Sequence, residues 1–240
     1  FWPEGFRIND LATGLVERGH KVTVLTGLPN YPGGKFFDGY SYGGPYRETH
    51  GGIAVVRVPL IRRGEGVGWK LALNYLTFAF AATVLAPLRC RGEYDCILVY
   101  EPSPVTVCIP AVMMRTLKRA PLLFWVQDLW PESLSATGAI KSPWSLRLVE
   151  KLVRFLYRHS DRILIQSRAF AAPIIAMGAA TARLRYFPNS AESLYQPAPG
   201  VSQDPSDPAM PPDFPLIFPC HLCPARGFLT LLSDPDFLTA

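Results

Sequence analysis

Histidine and cysteine are scarce in this chain, and most of the familiar catalytic signatures are missing. The four histidines, His20, His50, His159 and His221, show no ligand spacing of the H-E-x-x-H kind. The five cysteines, Cys90, Cys96, Cys108, Cys220 and Cys223, are odd in number and loosely spaced, which excludes a disulfide framework and favours a reducing compartment. Cys220 and Cys223 form one C-x-x-C with no second pair, so zinc is not expected. There is no G-x-x-x-x-G-K-[ST] phosphate loop, no G-x-S-x-G elbow and no G-x-G-x-x-G after a strand. Charge runs, repeats and a visible signal peptide are absent as well. What these absences leave is polar groups held at strand ends, with no activated nucleophile and no metal cage.

The 240 residues are 49% hydrophobic and 18% charged, a globular composition long enough for one full α/β domain and part of a second. Net charge is +5 and the sequence pI is about 9.0. The basic residues are scattered and lack aromatic interleaving, so nucleic acid is not an expected partner. Such a bias suits anionic phosphates or an anionic membrane surface.

Along the chain, helical and strand periods alternate. Residues 5–18 carry a helical apolar period that Gly19 ends, and 21–25 alternate as a strand. A βαβ domain is expected to open on a strand, yet this chain opens on Phe-Trp-Pro-Glu ahead of a helix, so a strand before Phe1 is expected. Residues 26–50, rich in Gly, Pro and Tyr, read as one long irregular loop whose aromatics favour packing or ligand contact. A strand follows at 53–58. Residues 71–88 are then 18 positions without a charge, long enough to span a bilayer. Asn74, Thr77, Thr83 and Pro87 interrupt them, which favours a buried or membrane-leaning crossover helix.

Further strands are expected at 96–100, 122–126, 162–166 and 184–187, with helices at 105–117, 145–157 and 167–177. This alternation implies an α/β fold, a doubly wound parallel Rossmann-like sheet. The first domain spans 1–195, residues 196–213 are a Pro- and Asp-rich linker, and 214–240 open a second Rossmann-like domain.

Ligands of open α/β sheets bind outside the carboxyl ends of the strands. Gln127 and Asp128 follow the apolar run 122–126, and the Trp130-Pro131-Glu132-Ser133 loop comes next. A carboxylate, an amide and an indole there can hold a polar, ring-shaped substrate. The plainer reading is an Asp that starts a turn, with Trp130 as a lid on the core. Glu101 also lies at a strand end.

Four stretches carry a family resemblance: F-W-P-E-G-F-R-I-N-D-L-A, R-G-H-K-V-T-V-L-T, V-Q-D-L-W-P-E-S and F-P-N-S-A-E. Together with P-N-Y-P-G-G-K they resemble retaining nucleotide-sugar glycosyltransferases of GT-B fold, the group 1 or family 4 class. The nearest likeness is to the subset adding amino-deoxyhexoses such as N-acetylfucosamine during O-antigen or capsule assembly. The resemblance implies two Rossmann-like domains, the first mainly holding the acceptor and the second the donor. It implies catalytic roles for Asp128 and Gln127, where relatives carry a His-Asp pair. It implies substrate contacts from Glu4, Gly5, Arg7 and Asn9, which lie in the loop over the donor diphosphate. Arg7 enters a helix N-terminus, where a cation can stabilise developing charge, or be simply a solvated first-turn residue. Glu101, Trp130, Glu132 and Asn189 complete the expected substrate-binding set, with Asn189 in the segment matching the class's P-N-G-V-D.

The implied donor is a nucleotide-sugar, a UDP-sugar first, and the implied acceptor a polyprenyl-diphosphate-linked saccharide. No cofactor or metal is expected. The implied location is cytoplasmic, peripheral at the inner face of the plasma membrane. Residues 218–223 read F-P-C-H-L-C where relatives carry a glycine loop, so the chain as given is expected to be inactive. A non-catalytic GT-B-like binding module and a nucleotide-sugar epimerase or dehydrogenase remain the alternatives.

Overall fold

The computed structural model describes residues 7–190 except 32, 65–67, 139 and 141. Glu4, Gly5, the side chain of Arg7, the linker 196–213 and the second domain from 214 onward lie outside the described residues. The described chain runs α1 (Arg7–Glu17), β1 (Thr23–Gly27), β2 (Arg47–His50), β3 (Ile53–Val58), α2 (Gly68–Arg89), β4 (Ile97–Glu101), α3 (Cys108–Lys118), β5 (Leu122–Val126), α4 (Glu132–Ala136), α5 (Pro143–His159), β6 (Arg162–Ile165), α6 (Ala171–Ala176) and β7 (Leu184–Tyr186). Short 3-10 turns precede α3, α6 and β7.

Two sheets form. β4, β5, β6 and β7 pair in chain order, all parallel, with Glu101 opposite Val126. Parallel neighbours need crossovers, supplied by α3, α5 and α6. β5 (LLFWV) is apolar at every position, and Leu122, Phe124 and Val126 are fully buried, as a strand covered on both faces must be. The core around them draws Cys108, Leu156, Tyr157, Ile163 and Ile174 from α3, α5, β6 and α6.

The other sheet has the order β1-β3-β2. Here the loop expected over 26–50 is corrected: it ends in β2, antiparallel to β3, and carries a Ser41–Gly44 bridge. The sequence signal is weak because Arg47-Glu48-Thr49-His50 has no apolar alternation. What holds β2 is a polar network. Arg57 on β3 pairs with Glu48, donates to the Gly27 carbonyl at 3.2 Å and lies over the Tyr40 ring at 4.9 Å. Burial raises the Glu48 pKa, but hydrogen bonds from Tyr40 and Arg57 outweigh it and hold the carboxylate below its usual range.

The P-N-Y-P-G-G-K segment is tied to α2 by two amides. Asn30 Oδ1 accepts from Asn74 Nδ2 at 3.2 Å and from the Arg63 backbone at 3.1 Å. Asn74, which interrupts the apolar run in the sequence, is thus an inward-facing anchor. In the same segment Gly34 has φ +70°, and a Cβ there would come within 1.6 Å of the Gly64 carbonyl oxygen. Only glycine fits.

Candidate functional site

Strand direction alone gathers polar side chains at one edge of the parallel sheet. β4 ends on Glu101, and β5, β6 and β7 lead into Gln127, Gln166 and Asn189. Three of these side chains interlock. Asn189 Nδ2 donates to Gln127 Oε1 at 2.9 Å and also to Gln166 Oε1, while Gln166 Nε2 donates to the Gln127 carbonyl at 2.7 Å. Gln127 Nε2 and Asn189 Oδ1 are left buried without partners. One spare donor and one spare acceptor, both desolvated, are costly to leave unmade.

Asp128 is fixed from its own loop. Its Oδ1 accepts from Ser133 Oγ, and its Oδ2 from Trp130 Nε1 at 3.3 Å. Ser133 belongs to α4, a short helix that was expected as plain loop. Trp130 is 9% exposed and packs in the core with Val126 and Leu156. Its ring is therefore a lid on the core, and its indole N–H steadies Asp128. Glu132 opens α4 and is exposed, outside the amide cluster, where its charge suits a helix N-terminus.

Glu101 is 0% exposed, and neither carboxyl oxygen makes a hydrogen bond. Burial first, and then the charge of Asp128, push its pKa well above the usual carboxylate range. The backbone N–H groups of Asp128 and Gln127 lie close enough to soften that shift without reaching hydrogen-bond geometry. The Cys108 thiol and the Tyr157 hydroxyl, both raised mainly by burial, feel the Glu101 charge too. These surroundings make Glu101 harder to ionise than an exposed carboxyl. The loop beyond it carries Ser103 at φ 149°, an uncommon conformation for a residue with a side chain.

A cavity of about 370 Å³ is walled by Asp10, Leu11 and Leu15 of α1 and by Trp125, Phe187 and Ser190, the last of these next to Asn189 in sequence. Trp125 Nε1 donates to the Phe187 carbonyl at 3.2 Å, and the two rings meet edge to face at 4.8 Å. Asn9 sits on the first turn of α1, half-buried. Among the described residues no three His, Cys, Asp or Glu side chains group as a metal site.

The structure thus brings Gln127, Asp128, Glu101 and Asn189 to one edge and adds Gln166. The expected set omitted Gln166, although the signal was available: a polar residue ending the apolar run R-I-L-I. Amides and a carboxylate are groups that pair with hydroxyls, each of which both donates and accepts.

Residues 5–190 match the glycosyl transferase 4-like domain family. The chain belongs to that family. This glycosyl transferase 4-like domain is also 24% identical, over 187 residues, to WcaI of Escherichia coli (strain K12), a protein named for glycosyl transfer in colanic acid biosynthesis. The match covers 76% of the chain but 45% of WcaI, so the chain spans under half the length of that relative. The four-stranded parallel sheet flanked by helices is the Rossmann-like arrangement expected of a GT-B domain.

Proposed function

We propose that this domain is the acceptor side of a retaining glycosyltransferase. The enzyme moves an amino-deoxyhexose from a nucleotide-sugar, a UDP-sugar first, to a saccharide carried on a polyprenyl diphosphate. The product is surface polysaccharide, and the reaction belongs at the cytoplasmic face of the membrane. One observation carries the reading: the Gln127–Gln166–Asn189 cluster holds an unpartnered donor and acceptor at the carboxyl edge of the sheet, beside an anchored Asp128. The family match and the polysaccharide named for WcaI support it.

In the transfer, the bond from the anomeric carbon to the donor phosphate breaks. A bond to the acceptor hydroxyl forms on the same face, and the hydroxyl proton passes to the leaving phosphate. This domain's share is to orient the sugar hydroxyls through its amides and to place the Asp128 carboxylate by the reacting ring. Preorganised contacts of that kind act without reorganisation at the moment of reaction.

A transfer assay over a panel of nucleotide-sugars, with a short-chain polyprenyl-diphosphate N-acetylhexosamine as acceptor, tests the proposal. In a full-length version that includes a donor-binding domain, Asp128→Asn is expected to lower turnover about 100-fold with little change in melting temperature. Unchanged turnover with a lower melting temperature would make Asp128 a structural residue and remove the catalytic role given to it here.

A further inference from the structure

α2 is built inside out. Its buried residues are Asn74, Ala79, Ala82 and Ala86, small or polar side chains that let it lie close to β1, β3 and α3. Its large apolar residues face the other way: Phe80 is 73% and Trp69 68% exposed, and Leu76, Val84 and Leu88 are exposed with them. These five recur at intervals of four or seven, which places them on one helix face. A crossover helix in contact only with water normally does the reverse, burying the large residues and exposing the small. The helix has a mean hydropathy of 1.7 over an 18-residue window, but 22% of that window is buried, well short of a core helix.

Charge identifies the occupant. α2 contains no acidic residue, and Lys70 on its first turn is exposed with Nζ 5.8 Å from the Trp69 ring. Arg62, which lies over the Phe36 ring, and Arg91 are exposed beyond its two ends, with the acids Glu93 and Asp95 following Arg91 off the helix. Arg89 is partly withdrawn from this set, because its guanidinium donates to the Arg57 carbonyl and stacks on Tyr46 at 4.3 Å. Two copies packed through α2 would set cation against cation in either orientation. An apolar stripe flanked by cations is instead complementary to anionic headgroups over an acyl layer.

We propose that the outward face of α2 is a docking surface for an anionic bilayer, with Phe80 at its centre and Lys70 and Arg91 at the headgroups. The proposal rests on this surface alone, so vesicles free of any acceptor lipid test it separately from the transfer reading. The protein is mixed with phosphatidylglycerol or phosphatidylcholine vesicles and co-sedimented. In parallel, Phe80→Cys is labelled with an environment-sensitive fluorophore.

Binding to phosphatidylglycerol is expected at low salt, with a blue-shifted label. Most of it should be lost between about 0.05 and about 0.5 M salt, as exposed cations are screened. Phe80→Asp should weaken binding about tenfold or more, the effect of withdrawing one buried phenyl ring, without altering the melting curve. Lys70→Ala with Arg91→Ala should weaken binding to phosphatidylglycerol only. Three results would overturn the proposal: no sedimentation with phosphatidylglycerol at low salt, equal binding by Phe80→Asp, or a label already blue-shifted without vesicles. A dimer in ultracentrifugation that Phe80→Asp dissociates, with no vesicle binding, would assign the face to a second copy.

Discussion

Glu101 is the residue whose surroundings depart furthest from what its side chain prefers. A carboxyl at 0% exposure, with no hydrogen bond and a second carboxylate beside it, has its pKa pushed well above the usual carboxylate range, by burial first and then by the charge of Asp128. Its folded-state pKa lies above the unfolded value, so the folded protein keeps a proton that the unfolded chain releases. Its contribution to stability is therefore fully present below pH 4.5, and it declines as pH rises through the folded value. Glu101→Gln keeps the shape and removes the titration. Melting curves between pH 5 and pH 8 are expected to show the wild type losing stability relative to the variant as pH rises. Parallel curves would show that Glu101 ionises in the folded protein as readily as in the unfolded one.

At the scale of elements, the strands that position the site are held from below as well as from within. Asp161, just before β6, accepts from Arg115 Nε and Nη2 of α3 at 2.6 and 2.7 Å, and from the backbone N–H of Leu122 at 2.8 Å. One carboxylate thus joins α3, β5 and β6. The Arg115 hydrogen bond is the main cause lowering its pKa to about 2. The folded value lies below the unfolded 3.8, so this stabilisation is present above pH 3.8 and is lost as pH falls through about 2. Asp161→Ala is expected to cost about 1–2 kcal/mol at neutral pH, moderated because the pair is partly exposed. Denaturant titrations should show the gap between variant and wild type closing in acid. A gap that does not shrink as pH falls from neutral through about 2 would mean that the loss comes from packing instead.

The whole molecule shows which parts of a fold a sequence can carry. β3 and β5 were legible because burial writes itself as apolar runs, and their bounds are those expected, while α2 was legible as a charge-free apolar run but starts at Gly68, three residues before the expected 71. β2 was not legible, since it is an edge strand of polar residues, paired to β3 through its backbone and braced by Arg57, Glu48 and Tyr40, which leaves no apolar period. α4 was missed because five residues behind a Trp-Pro step look like loop. The candidate site was half legible. The rule that parallel strands point ligands to their carboxyl ends located Gln127, Asp128 and Glu101. The amide lattice of Gln166 and Asn189 depends on three strand ends meeting, a long-range fact that local sequence does not state. The same holds for α2, whose apolar run was plain in the sequence but whose large side chains had to be seen facing outward.

Saccharide binding proposed for the amide cluster at the sheet's carboxyl edge is reported directly by the side-chain amide resonances of Gln127 and Asn189. Titrating the labelled chain with a short-chain polyprenyl-diphosphate N-acetylhexosamine should shift the Gln127 Nε2–H signals first, because that donor lacks a partner in the free protein. Asn189→Ala should abolish the shift while the fold is kept. Gln127 signals that stay in place at saturating ligand, or an undiminished shift in Asn189→Ala, would contradict the account.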